Sequence, residues 1–230
     1  MREHLGSLIE QLLGDNAYAS GRRSFPRTVT REDAATIAEV IHREVDRGVE
    51  ARAAAAREDG TTIACGRGCN HCCAELVLAY RPEALEIAAW LGREENRAVR
   101  ERFVAAYDGW LAAIGDAGET LSALVASDPE AYKEAHSLQY RKRIMCAFNV
   151  DGDCSIYPVR PAVCRNAHAA DTAERCRPEH TGPAPTRLAF VPLDSFLAKA
   201  RRLERAAHHA VGGPRNRPQA LCTAVKTLLA

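Results

Sequence analysis

The chain has 230 residues, 47% of them hydrophobic, so it can bury a substantial core as one domain with appendages or as two small domains. Its 31 basic and 30 acidic side chains leave a net charge of +1, which gives no general attraction to nucleic acid or to a membrane surface. It has no stretch of roughly 18 apolar residues that could span a membrane, and its first residues lack the apolar run of a signal peptide. We therefore expect a cytoplasmic protein with no nucleic-acid and no membrane partner.

Apolar residues spaced by three and four positions predict a mainly α-helical fold. Residues 1–29 carry a short helix that ends near Gly14, followed by a loop. Thr30 and Asp33 then form the signature of a capping box, and Gly60 ends the helix that they begin. The predicted apolar stripe of this helix consists of Ala34, Ile37, Ile41, Val45, Val49 and Ala53.

Further helices are expected on both sides of a turn-rich region. After a short apolar stretch that reads as a strand or as loop, Pro82 begins a helix that runs through Trp90, and Asp128 with Pro129 begins another towards Tyr140. Between them, a helix is predicted from the stripe Val99, Phe103, Ala106, Trp110 and Ala113. Near the other end, a stripe runs from Phe196 to Val211, and the last helix carries Leu221, Val225 and Leu228.

Four of the nine cysteines lie in one stretch of nine residues, from Cys65 through Cys69 and Cys72 to Cys73. Cysteines of a cytosolic protein are kept reduced, so a metal explains this density better than disulfides do. Two glycines allow the tight backbone turns that bring sulfurs together. Three thiolates from one loop with a fourth from far away is common for iron-sulfur clusters, whereas zinc sites more often join two C-x-x-C pairs. The pattern favours iron and leaves zinc open.

A second block of cysteines follows about seventy residues later, with Cys146, Cys154 and Cys164. Asp151-Gly-Asp153 is a turn signal that predicts a small hairpin bringing Cys154 back beside Cys146. Cys176 is added as an eighth ligand by proximity and count. Cys222, by contrast, lies on the apolar side of the last predicted helix and reads as a buried bystander.

Together the two blocks resemble the YkgJ-like cysteine-cluster family, a zinc- or iron-chelating domain named for its C-x-x-C-x-x-C-C motif. The resemblance covers residues 65–165 and departs from the usual pattern at Ala147, where a proline commonly follows the cysteine. It is carried by Cys65, Cys69, Cys72, Cys73, Cys146, Cys154, Ile156, Tyr157, Arg160, Pro161, Cys164 and Arg165. Relatives include flagellin lysine N-methylases, so the resemblance implies a metal or iron-sulfur site and, as one possibility, an enzyme that modifies a protein or peptide.

Several residues near the cysteines have more than one interpretation. Arg160 and Arg165 could donate hydrogen bonds to sulfurs, could bind an anionic substrate or cofactor, or could hold the turn by bonding backbone carbonyls. Tyr157 could be a general acid, a redox relay or a packing residue. The candidate imidazole ligands are His71, His168 and His180, each of which could equally be a loop histidine in solvent.

The spacing of Cys65, Cys69 and Cys72 also equals that of radical S-adenosylmethionine enzymes. Those enzymes place the motif after the first strand of a parallel barrel. Here no alternation of strands and helices follows, so this second resemblance is weaker.

From these patterns we predict a helical scaffold around a loop-rich cysteine core, divided into segments 1–59, 60–180 and 181–230. The core is expected to hold an iron-sulfur cluster, of the 4Fe-4S type in preference, or iron or zinc ions, and metal binding should stabilise residues 60–180. Function divides between a metallo-enzyme acting on a protein or peptide, a metal-delivery module and a zinc-stabilised interaction domain. The predicted ligands are Cys65, Cys69, Cys72, Cys73, Cys146, Cys154, Cys164 and Cys176.

Overall fold

The computed structural model describes residues 30–66, 68–170, 172–177, 180, 204–205, 207–212 and 217–230. Helices dominate these residues, which confirms the mainly α-helical prediction. The helices are α1 (Arg31–Glu58), α2 (Arg81–Leu91), α3 (Arg97–Ile114), α4 (Ala117–Ser127), α5 (Pro129–Arg141), α6 (Ala162–Arg165) and α7 (Leu221–Leu229), and the strands are β1 (Leu78–Ala79), β2 (Asn149–Val150), β3 (Asp153–Cys154) and β4 (Gln219–Ala220). Short 3-10 turns span His71–Ala74, Glu94–Asn96, Tyr157–Val159 and Ala173–Cys176.

Helix α1 begins at the predicted capping box. The Thr30 hydroxyl accepts from the Asp33 amide at 3.1 Å, and the Thr30 amide donates to the Asp33 carboxylate at 2.9 Å. The buried face of α1 packs along α2 and includes Ala34, Ile37, Ile41, Val45 and Ala53, whereas Val49 is only half-buried. The predicted stripe is therefore confirmed except at that position.

The buried face of α3 differs from the predicted one. Its buried residues are Phe103, Tyr107, Trp110 and Ile114, while Ala106 and Ala113 are exposed. Alanine fits either face of a helix at little cost. Two alanines at the right spacing were therefore included in the predicted stripe in place of Tyr107 and Ile114, the larger side chains that pack. Phe103 stacks on Phe148 with ring centroids 4.0 Å apart, which ties α3 to the second cysteine block.

Helix α4 was not predicted from the sequence. It packs against α5 and brings Gly118 next to strand β4, where a Cβ on Gly118 would lie 3.2 Å from the Ala220 Cβ. The predicted helix after Asp128 is confirmed as α5, and the Asp128 carboxylate caps it by accepting from the Ala131 amide at 3.1 Å.

The apolar stretch before α2 becomes strand β1, which pairs with β4 from the far end of the sequence. Leu78 is paired with Ala220 and Ala79 with Gln219, and the Leu221 amide donates to the Val77 carbonyl at 2.8 Å. The predicted last helix, α7, follows directly and packs on α2 and α3. Residues 219–229 therefore form part of the wall around the cysteine-bearing segments.

A buried polar cluster joins α1 to α2 and to the second cysteine block. The His42 ring lies between two carboxylates, with Nε2 3.3 Å from Glu83 and Nδ1 2.6 Å from Glu86. Glu83 also accepts from the Ala162 amide at 2.9 Å, which fixes the start of α6. Burial by itself would lower the pKa of His42, but the hydrogen bonds and charges of both glutamates outweigh it and raise the pKa to about 9.

We expect this cluster to make stability fall in alkaline solution. Because the folded-state pKa lies above the ordinary 6.5, the contribution of His42 is complete below pH 6.5 and is lost as the pH rises through about 9. At about 1.4 kcal/mol per pKa unit, the loss in unfolding free energy is about 3 kcal/mol. Denaturant unfolding across this range measures it, with His42→Gln as the control for other titrating groups. Equal pH slopes in the two proteins would contradict the prediction.

Two sequence predictions fall on residues outside those described: the helix that ends near Gly14, and the part of the third stripe before residue 204. In the described residues, no helix combines the length and the apolar character needed to cross a bilayer.

Candidate metal centre

The first cysteine loop is folded by successive tight turns. The Cys69 amide donates to the Gly66 carbonyl at 3.1 Å, the Cys73 amide to Asn70 at 2.9 Å, and the Glu75 amide to Cys72 at 3.0 Å. Satisfying these amides within the loop itself lets the side chains turn together to one side.

The predicted hairpin is present in the second block. Strands β2 and β3 pair Asn149 with Cys154, and Asp151 and Gly152 take φ values of 52° and 87° in the turn between them. The Cys146 amide donates to the Cys73 carbonyl at 2.8 Å, so backbone hydrogen bonding joins the two cysteine blocks directly.

Arg165 holds the turn that carries Cys164. Its side chain is buried; Nε donates to the Arg160 carbonyl at 2.6 Å, Nη2 to the Pro158 carbonyl at 2.5 Å, and Nη1 pairs with Asp46 of α1. These contacts agree with the interpretation that Arg165 holds the turn by bonding backbone carbonyls. Arg165 does not line the cavity that the neighbouring cysteines surround.

Seven of the eight predicted ligands surround one cavity of about 90 Å³. A water molecule needs roughly 10–15 Å³ by this measure, so the cavity exceeds the room that a single atom requires. Apolar side chains, among them Phe148, Ile156 and Leu221, share its wall with one histidine, His168. The cysteines that line it are Cys65, Cys69, Cys72, Cys73, Cys146, Cys154 and Cys164.

Arg160 and Tyr157 also line this cavity, which is the larger of two adjoining cavities. The Arg160 guanidinium lies 3.8 Å from the centroid of the Tyr157 ring, a cation-π contact that orients both side chains. Arg160 Nε is buried and has no hydrogen-bond partner among the described residues. A positive group of this kind beside thiols favours the thiolate form and can accept an anionic ligand.

A smaller cavity of about 30 Å³ adjoins the first. It contains the eighth predicted ligand, Cys176, whose 3-10 turn contacts the turn that carries His71 and Cys72. Tyr140 of α5 donates its hydroxyl proton to the Cys176 carbonyl, which fixes that turn from the outside. The residues around the smaller cavity are Cys65, Cys69, His71, Cys72, Ala167, His168, Ala169 and Cys176.

Two of the three candidate histidines, His71 and His168, face this smaller cavity, and His180 lines neither cavity. The Nδ1 atoms of His71 and His168 are buried, and neither finds a hydrogen-bond partner among the described residues. His168 Nε2 lies 3.0 Å from the Arg165 carbonyl, and because a carbonyl only accepts, Nε2 carries the proton. Burial lowers the pKa of His168, so the ring is neutral and Nδ1 has a lone pair to offer.

Several thiols of the larger cavity have a raised pKa. A hydrogen bond to Cys73, together with burial, raises the pKa of Cys72, and burial raises that of Cys154 to about 11. Burial, followed by the charges of Cys72, Cys146 and Cys154, raises the pKa of Cys164. Each thiolate in such a group disfavours the ionisation of its neighbours. A bound cation offsets the negative charge of several thiolates at once, so this set of thiols suits a metal ion.

Cys222 has a neighbour that the sequence did not indicate. It is buried as predicted, but its sulfur lies 3.6 Å from the sulfur of Cys146, and this contact is the largest cause of the raised pKa of Cys146. Cys222 does not line the larger cavity. Its position follows from the pairing of β1 with β4 across 140 residues, and no local spacing could have indicated it.

No three Cys, His, Asp or Glu side chains of the described residues already stand at the mutual distances of a coordinated ion. The donor set nonetheless suits a thiophilic metal. It consists of eight half-buried thiols, none in a disulfide, with two unpartnered imidazole nitrogens beside them.

Comparison with known proteins gives one match. The CxxCxxCC family model, described as "Putative zinc- or iron-chelating domain", matches residues 64–182, slightly more than half of the chain. In this chain the first interval of the motif holds three residues, between Cys65 and Cys69, where the family name has two. No curated protein and no solved structure matches.

Proposed function

The chain belongs to the CxxCxxCC family of metal-chelating domains, and from this premise we propose that its larger cavity holds an iron-sulfur cluster. The single observation that carries the proposal is that thiols from both cysteine blocks surround one cavity of about 90 Å³. That volume suits a polyatomic centre, or an ion with a further ligand, better than a closed site around one bare ion.

Four of the thiols form a natural ligand set. Cys164 interacts electrostatically with Cys72, Cys146 and Cys154, and Cys146 in turn with Cys72. Four thiolates are the usual complement of a 4Fe-4S cluster. Bare iron or zinc held by the same four sulfurs is the alternative, and it calls for the same residues.

We further propose that this centre serves an enzyme of the cytoplasm that modifies a protein or peptide, with lysine methylation as the model reaction. The support is the remainder of the cavity wall, where Phe148 and Leu221 offer apolar surface and Arg160 offers an Nε that has no partner among the described residues. A cluster bound there would supply electron transfer or a Lewis-acid position. Arg160 and Tyr157 would orient an anionic part of the substrate, and the apolar wall would exclude water from it.

Metal delivery is the second candidate. It is favoured by the partial exposure of all eight predicted ligands, because exposed thiolates can pass an ion to an acceptor. A zinc-stabilised interaction domain has weaker support, since its four-sulfur sites would be closed.

Metal and sulfide analysis of protein purified without oxygen tests the proposal. We expect iron and acid-labile sulfide in equal amounts, with visible absorption that bleaches on reduction. Zinc without sulfide would contradict the iron-sulfur proposal and favour an interaction domain. Rapid and complete loss of metal to a chelator would favour delivery, and absence of any bound metal would contradict the chelating function itself.

A further inference from the structure

The smaller cavity has the features of a metal site of its own. Its volume, about 30 Å³, is room for about two or three water-sized atoms, one third of the volume of the larger cavity beside it. Cys176 and His71 line only the smaller cavity, and Cys73, Cys146, Cys154 and Cys164 line only the larger one. The cysteines thus fall into two groups, with Cys65, Cys69 and Cys72 in the wall between them.

Among the three thiols of that wall, two are closely associated. Cys65 and Cys69 interact with each other and Cys69 also interacts with Cys72, whereas Cys72 is hydrogen-bonded to Cys73 and interacts with Cys164 of the larger cavity. Cys65 and Cys69 are therefore available to the smaller cavity when Cys72 serves the larger one.

The backbone places His168 beside these two thiols. The Ala64 amide donates to the Ala169 carbonyl at 3.0 Å, and the Ala169 amide donates to the Cys65 sulfur at 3.0 Å. An N–H donor fixes the direction of the sulfur that accepts from it. The residue before Ala169 is His168, so these two bonds bring the backbone of His168 near Cys65, and both side chains line the smaller cavity.

The His168 ring has the hydrogen-bonding pattern of a metal ligand. Histidines that bind metals commonly donate their other ring N–H to a carbonyl or carboxylate, which fixes the tautomer and the ring direction. His168 donates Nε2–H to the Arg165 carbonyl, and Arg165 is itself held by Asp46 and two carbonyls. Nδ1 is left buried and unpartnered beside the cavity.

From this arrangement we propose a second, mononuclear metal site in the smaller cavity, with Cys65, Cys69 and Cys176 as thiolate ligands and His168 Nδ1 as the fourth ligand. Three cysteines and one histidine form a common tetrahedral zinc site. The inference rests on the proposed chelating function, and it adds a separate centre whose ion is zinc or iron. His71 lines the same cavity, and its Nδ1 is likewise buried and without a hydrogen-bond partner among the described residues, so it serves as the matched control.

Zinc titration of the full chain, stripped of metal and kept anaerobic, tests whether the cysteines form two separate metal sites. Because zinc can also occupy the four-sulfur set of the larger cavity, we expect two tightly bound equivalents. Cys176→Ser and His168→Gln should each lose one equivalent and keep the other, Cys154→Ser should lose the other one, and His71→Gln should keep both. One equivalent in the unmodified protein, loss of both in Cys176→Ser, two equivalents retained in His168→Gln, or a loss in His71→Gln would overturn the proposal. Absence of any bound zinc would instead contradict the chelating function.

A measurement on the unmodified protein guards against variants that fail to fold. In a long-range proton-nitrogen spectrum of the zinc-loaded, ¹⁵N-labelled chain, we expect the Nδ1 signal of His168 to shift on zinc addition while Nε2 stays protonated. An unshifted Nδ1 signal for His168 at full zinc loading would overturn its assignment as the ligand.

Discussion

Replacing Cys164 by alanine is expected to release the metal of the larger cavity and to expose residues 60–180 to proteolysis. Cys164 interacts with Cys72, Cys146 and Cys154, so its loss leaves a bound centre one thiolate short. Losing an outer-shell partner typically lowers metal affinity about 10- to 100-fold, and losing a ligand should cost more than that. Because structural metal binding contributes about 10–16 kcal/mol to folding in small zinc domains, the surrounding loops should open. Metal analysis and limited proteolysis of anaerobic protein measure both effects.

Cys222→Ala is the matched control for this experiment, because it removes a thiol that is close to the cavity but does not line it. Its sulfur lies 3.6 Å from that of Cys146, yet it lies outside the larger cavity. We expect full metal content and a loss of about 1–2 kcal/mol in unfolding free energy, typical of truncating a small buried side chain. Metal loss in Cys222→Ala, or full retention in Cys164→Ala, would mean that the ligand set is drawn wrongly.

The second large effect is expected from Arg165→Ala. This substitution leaves the Pro158 and Arg160 carbonyls without their donor and Asp46 without its partner. Hydrogen bonds that involve a charged group contribute about 1.5–3 kcal/mol each, so losing the two bonds of the Arg165 guanidinium to these carbonyls should lower the unfolding free energy by about 3 kcal/mol or more. Since the same turn carries Cys164 and the carbonyl that orients His168, metal affinity should fall as well. Denaturant unfolding with and without metal measures the two consequences.

Two arginine variants show whether the hydrogen bonds of the Arg165 guanidinium, and not its charge alone, stabilise the turn. Arg165→Lys keeps the charge near Asp46 but cannot reproduce the planar fork, so we expect an intermediate loss. Arg97→Ala removes an exposed arginine with two surface ion pairs and should change stability by less than about 0.5 kcal/mol. Equal stability of Arg165→Ala and Arg97→Ala would refute the role assigned to Arg165.

Elements with strong local signals were predictable from the sequence. The capping box at Thr30 and the aspartate cap of α5 depend on residues three positions apart, the proline start of α2 depends on a single residue, and each is present. The buried face of α3 was predicted correctly at Phe103 and Trp110 and wrongly at Ala106 and Ala113, because these alanines match the helical spacing without packing. Helix α4 was missed because its few large apolar residues give a weak periodic signal around a glycine.

The candidate metal centre likewise has features that the sequence predicted and features that it did not. Local spacing located the cysteines and the β2–β3 hairpin, because these depend on neighbouring residues. The contact of Cys222 with Cys146, the clamp around Arg165 and the orientation of His168 are set by contacts between distant segments. No pattern in one sequence specifies which carbonyl a side chain will meet, so the choice between substrate binding and turn holding for Arg165 needed the structure.

The pairing of β1 with β4 has a consequence for how the protein is made. Leu221 forms part of the wall of the larger cavity, yet the ribosome adds it 57 residues after Cys164. At about 5–20 residues per second, the thiols are synthesised roughly 3–11 s before this wall exists. The last-made part of the described chain therefore completes the surroundings of thiols that were made well before it, and the larger cavity reaches its final lining only after Leu221 has been added.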